Sequence, residues 1–137
     1  MIRFAVLVLF GAALAIPASG QRQEPTYLPH EVAVLRALDK VTARVSLFEV
    51  PVGEQVRFGT LGIRIRACEK TPPEEEPDAV AFLEVWERRP ADTESRWVFT
   101  GWMFASSPAV SAMDHPVYDV WLIDCQRRSK ASSSEAE

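Results

Sequence analysis

The sequence predicts an all-β chain folded as a single small β-sandwich, jelly-roll-like, with one intradomain disulfide. Three observations carry that expectation. Seven or eight short apolar or alternating runs follow one another, separated by proline-, glycine- or charge-rich turns at regular intervals. No run after the first twenty residues holds a clear helical period. Only two cysteines occur, Cys68 and Cys125, each at the end of such a run.

The first twenty residues read as an address rather than as fold. One positive charge, Arg3, precedes an uncharged apolar run from Phe4 to Ile16, followed by Pro17 and the small residues Ala18, Ser19 and Gly20. That is the pattern of a secretory signal peptide over 1–20, cleaved near Gly20–Gln21. The apolar run is short of the ~20 residues a membrane span needs, so no transmembrane anchor is expected after cleavage. Cleavage removes Arg3 and leaves 117 residues with 14 basic and 19 acidic side chains, a formal charge of −5. No basic stripe runs through the chain, so nucleic acid is not an expected partner. A chain of this length makes one domain with a modest core.

Residues 21–30, polar with two prolines, read as an extended leader, and 31–125 as the sandwich domain. From Glu31 to Lys40 the pattern is ambiguous: Val32, Leu35 and Asp39 fit a helical spacing, and Val32 and Val34 against Ala33, Leu35 and Ala37 fit a buried strand equally well, which is the reading adopted. Thr42 to Val50 alternates until it slips at Phe48, which predicts a bulge or a change of face. Pro51 to Glu54 is a turn, and Gln55 to Phe58 a short strand. Leu61, Ile63, Ile65 and Ala67 form one face of the next strand, with Arg64 and Arg66 on the other. Cys68 then falls in phase with the arginines, out of step with the core unless the strand twists or bulges.

Thr71 to Asp78 holds three prolines and three adjacent glutamates and must be an exposed acidic loop. Ala79 to Glu87 and Trp97 to Phe104 pair as a hairpin across the charged turn Arg88 to Ser95. In the second of these, Trp97, Phe99 and Met103 oppose Val98, Trp102 and Phe104. Ser106 to Pro116 is a loop with a helical turn around Ala109–Met113. Val117 to Cys125 is apolar on both faces, as a central strand would be, and the four tryptophans are expected to fill much of the core. Residues 126–137 are low-complexity and are expected to be disordered.

Two cysteines in an oxidising compartment permit one intramolecular pairing. A loop of this size is worth about 4 kcal/mol in the chain-entropy treatment. The competing readings are weaker: a redox pair is usually Cys-x-x-Cys, and two cysteines with two scattered histidines supply too few close ligands for zinc. Neither a metal nor a cofactor is expected.

The densest segment runs from Phe99 to Trp121. Its two motifs are Phe-Thr-Gly-Trp-Met-Phe-Ala-Ser-Ser-Pro and Met-Asp-His-Pro-Val-Tyr-Asp-Val-Trp. Together with Leu38-Asp39-Lys40, Phe58-Gly59-Thr60-Leu61 and the cysteines, they resemble the bacterial family catalogued as domain of unknown function 2155. The resemblance spans residues 36–125. It implies a secreted or periplasmic protein of Gram-negative bacteria without an assigned activity, and it supplies no catalytic residue.

Candidate chemistry therefore rests on the residues themselves. His115 with Asp114 or Asp119, beside Tyr118, could form an acid–base cluster, although Asp-His-Pro also suits a turn. Ser106-Ser107 with a histidine suggests a nucleophile and base, but no nucleophile elbow is present. Glu84 or Glu87 with another carboxylate suggests glycoside hydrolysis by fold analogy alone. Asp39, Lys40 and Arg44 read as a surface ion pair. Trp86, Trp97, Trp102 and Trp121 could line a platform for sugars or an extended peptide.

The expected function is a non-catalytic binding or scaffold module of the periplasm or the secreted fraction. Its partner would be an envelope protein or cell-wall component, held by Trp102, Met103, Phe104, Ser106 and Tyr118. The alternative is a small hydrolase using His115 and a neighbouring carboxylate.

Overall fold

The computed structural model describes residues 23–129 together with Gly20. Residues 1–19 of the expected signal peptide and 130–137 of the expected tail lie outside the described residues. Eight strands follow in order: β1 (Leu28–Pro29), β2 (Val32–Asp39), β3 (Arg44–Pro51), β4 (Gln55–Phe58), β5 (Leu61–Lys70), β6 (Ala79–Glu87), β7 (Arg96–Phe104) and β8 (Tyr118–Gln126). A short 3₁₀ turn, Pro108–Ser111, lies between β7 and β8. The strands form two antiparallel sheets. One is three-stranded, in the order β3-β2-β8; the other has β5, β6 and β7 side by side, with β4 and β1 on the far side of β5.

The sandwich expected from the sequence is thus present. Leu61, Ile63, Ile65, Ala81, Leu83 and Val85 from one sheet bury against Ala33, Leu35, Ala37 and Leu122 from the other, each at most 1% exposed. The ambiguous stretch before Lys40 is strand β2. It is central in its sheet, which explains why Val32 and Val34 are buried on its second face as well. The leader docks rather than hanging free: Leu28 and Pro29 pair with Lys70 and Glu69.

The phase of Cys68 has a definite cause. In the β5–β6 register Ile65 faces Leu83 but Ala67 faces Phe82, so Arg66 is an extra, bulged residue. With a side-chain period of two, one extra residue reverses the faces. Ala67, expected inward, is therefore outward, and Cys68 is inward and 2% exposed. The same device recurs in β8. There Leu122 faces Leu35 and Asp124 faces Val34, which makes Ile123 the extra residue and turns Cys125 inward. Each cysteine thus sits two positions after a bulge, and the two are joined across the sheets with a Cα–Cα distance of 5.7 Å.

Three further expectations are corrected or resolved. β8 is an edge strand, not a central one, since it pairs with β2 alone. Of the two readings of the slip at Phe48 the bulge is excluded, since β3 pairs with β2 without a shift; the apolar residues change face instead, Val45 and Leu47 exposed outside and Phe48 and Val50 inward. None of the four tryptophans belongs to the buried core. A third bulge, at Val98, places Trp97 beside Trp86 rather than in step with Phe99 and Met103.

Deleting Arg66 should restore the uninterrupted alternation and turn Cys68 outward. A thiol titration of the folded variant is expected to find two free thiols where the parent has none. Reduction of the parent, or C68S with C125S, should lower stability by about 2–4 kcal/mol in denaturant titration.

Candidate functional site

At the end of the sandwich away from the disulfide, polar side chains from both sheets converge on a buried pair. Glu87 closes β6 in phase with Ala81, Leu83 and Val85, so its carboxylate points inward and the residue is only 5% exposed. His115, on the strap leading into β8, is 4% exposed, and its Nε2 lies 3.1 Å from Glu87 Oε1. Thr60, in the β4–β5 turn, donates its hydroxyl to the same oxygen at 3.1 Å, and Arg96 at the start of β7 donates to Oε2. From the opposite sheet Lys40 donates to the His115 carbonyl at 2.7 Å and pairs with Asp119 at 3.2 Å. The Tyr118 ring stacks on the imidazole at 5.3 Å and meets Phe58 edge-on at 5.4 Å. It also lies over Gly59, whose φ of +57° and closeness to the phenol leave no room for a side chain: a Cβ there would stand 2.3 Å from the Tyr118 hydroxyl.

The hydrogen bonds define the tautomer. Nδ1 accepts from the backbone N–H groups of Val117 and Tyr118, each at 3.1 Å, so it carries no proton. The ring proton is on Nε2, which donates to Glu87. Burial pushes the Glu87 carboxyl up, but hydrogen bonds from His115, Arg96 and Thr60 outweigh it and hold the group below its ordinary value. Both imidazole nitrogens and both carboxylate oxygens are thereby engaged, and the cluster works as a clasp between sheets.

The residues singled out in the sequence are dispersed. Asp114 is exposed and Asp119 is held by Lys40; neither bonds to the His115 ring, whose carboxylate partner is Glu87, 28 residues away in the chain. Glu84 and Glu87 face opposite sides of the sheet, Glu84 pairing with Arg66 at 2.8 Å on the outside. Asp39 does not pair with Lys40. Its Oδ1 accepts from the N–H groups of Thr42 and Val41, which lower its carboxyl and brace the β2–β3 turn. Ser106 and Ser107 are exposed. Ser106 N donates to Asp78, which also accepts from Tyr27 at 2.8 Å; burial and that carboxylate push the Tyr27 phenol up to about 12.

Met103 and Phe104 line an open apolar groove of about 340 Å³ with the 3₁₀ turn, Met113, Val120 and Trp121. Trp102 lies instead on the outer face of the larger sheet, edge-on to Phe82 at 5.5 Å, while Tyr118 belongs to the clasp. Among the described residues no three His, Cys, Asp or Glu side chains are grouped to hold a metal ion. Thr60 and Arg96 escaped the sequence reading. The usable signal was Glu87, a charge standing in the inward phase of an otherwise apolar strand.

Several segments that carried the resemblance, around Asp39-Lys40, Gly59-Thr60 and His115 to Asp119, meet at this clasp. The family model described as an uncharacterized protein conserved in bacteria (DUF2155) matches residues 33–125. The chain belongs to this family. It is also 30% identical over 89 residues to an uncharacterized protein of Rickettsia prowazekii (strain Madrid E). That alignment covers 65% of this chain and 57% of the relative's length. No solved structure matches the chain.

The clasp makes two testable predictions. H115A or E87A leaves buried partners unsatisfied and should cost about 2–3 kcal/mol in denaturant titration. Because Glu87 has a lowered carboxyl, its contribution is complete above its ordinary value of 4.5 and fades as pH falls through the folded value. The stability gap between parent and E87Q should therefore narrow between pH 5 and pH 3 in urea titrations, roughly the window of carboxylate titration.

Proposed function

We propose that the chain is a non-catalytic binding module of the bacterial cell envelope, exported and oxidised before it meets its partner. The observation that carries this reading is the contrast between its polar and aromatic groups. The His115–Glu87 pair has its hydrogen-bonding atoms committed within the fold. Large rings stand at the surface instead, with Trp97 65% and Trp102 38% exposed on one sheet face. Exposed aromatic surface of this kind marks recognition. Export is supported by the signal-like N-terminus and by an inter-sheet disulfide, which persists in oxidising compartments.

The test is fractionation of cells expressing the full chain. The parent should be recovered oxidised, in the envelope fraction. W97A combined with W102A should remain folded with its disulfide intact but shift the protein to the soluble fraction. Recovery of reduced parent in the cytoplasm, or undiminished envelope retention of the double variant, would refute the proposal.

A further inference from the structure

On the outer face of the larger sheet, strand register sets side chains in rows, three of which matter here. Gly62, Trp86 and Trp97 stand side by side, then Arg64, Glu84 and Thr100, then Ala67, Phe82 and Trp102. The outer rows are aromatic pairs meeting edge-to-face, Trp86–Trp97 at 6.0 Å and Phe82–Trp102 at 5.5 Å. They lie four residues apart along β6, or about 13 Å at the rise of an extended strand. The upper row is held flat by Gly62, since a Cβ there would stand 2.3 Å from Cε2 of the Trp86 indole. The ring can lie on the sheet only because that position has no side chain.

Charge singles out the same face. Arg57, opposite Gly62, is exposed, and Arg64 reaches over the Trp86 ring at 5.6 Å while its Nη2 donates to Gln55. Arg66 takes up the Glu84 carboxylate. Among the described residues neither Arg57 nor Arg64 has a carboxylate within ion-pair distance. The Trp86 end of the face is therefore locally positive on a chain whose formal charge is −4, while Glu69 lies beyond the Phe82–Trp102 row at the other end.

We infer that this face binds the glycan strands of the bacterial cell wall, whose short peptide stems carry free carboxylates, laid along β7 from Trp97 to Trp102. The inference rests on the binding-module reading and names its ligand. A sheet face offers only side chains, because its main-chain groups are already paired within the sheet. An extended peptide, which docks through main-chain bonds, would take an edge such as β8. A sugar chain suits the face: C–H faces of its rings stack on Trp97 and Trp102, and hydroxyls reach Thr100 and Glu84. The stem carboxylates meet Arg64 and Arg57, as the unbalanced positive charge requires. A lipid surface is disfavoured by the charged row across the middle.

The experiment is co-sedimentation of the full oxidised chain with purified cell-wall sacculi over a salt series, with soluble wall fragments as competitor. The parent should sediment and be released by salt and by competitor. W97A with W102A should weaken binding at least tenfold. R64Q with R57Q should weaken it several-fold and flatten the salt dependence, and both double variants should remain folded with the disulfide intact. The inference falls if the parent does not sediment, or if the tryptophan double variant sediments like the parent. It falls equally if a neutral chitin oligomer, anionic phospholipid vesicles or single-stranded oligonucleotide competes as well as wall fragments. Tryptophan-dependent envelope retention without sacculus binding would overturn the glycan and leave the binding module standing; loss of both results would overturn both.

Discussion

A covalent link between two packed sheets can form only where both cysteine side chains point into the space between them. In strands whose side chains alternate strictly, that requirement couples the position of each cysteine to every apolar residue before it. Here the coupling is broken twice. Arg66 and Ile123 each insert one residue, so the core-facing runs ending at Ile65 and Leu122 are followed by an inward Cys68 and Cys125. The disulfide therefore depends on two local irregularities, and its position in turn fixes how the ends of β5 and β8 stack.

The opposite end of the sandwich is joined without a covalent bond. Glu87 from the larger sheet and His115 from the strap before β8 form a buried pair, whose spare atoms are taken by Thr60, Arg96 and two backbone N–H groups. Lys40 ties the β2–β3 turn to the same strap. Unlike a disulfide, this joint is sensitive to acid and indifferent to reductant, so the two ends of one sandwich answer to different conditions. A buried polar cluster with every partner present adds specificity of arrangement as well as stability.

Much of the fold was legible in the sequence because period-two alternation and turn residues are local signals. Leu61 to Ile65, the acidic loop and the hairpin of β6 and β7 could be read directly. What escaped depends on pairing across strands. The bulges at Arg66, Val98 and Ile123 exist only relative to a neighbour's register, and no local composition marks them. The tryptophans were assigned to the core by their hydrophobicity, yet phase placed them outside, Trp86 in step with Glu84 and Phe82. His115 was matched with its chain neighbours Asp114 and Asp119, whereas its partner comes from another sheet. The cysteine pairing was legible because only one pairing exists.

The topology of the three-stranded sheet has a kinetic consequence. Its central strand waits for a partner at the far end of the domain: β2 pairs with β8 from Asp39↔Tyr118 to Val32↔Gln126. Until that pairing closes, β2 and β3 are a lone hairpin with an apolar face open to solvent, which is marginal in water. Contacts of such long sequence separation are slow to form. The two layers therefore differ in what they need to form: β4 to β7 are a meander of local pairings, whereas the smaller sheet is complete only when the two ends of the domain meet.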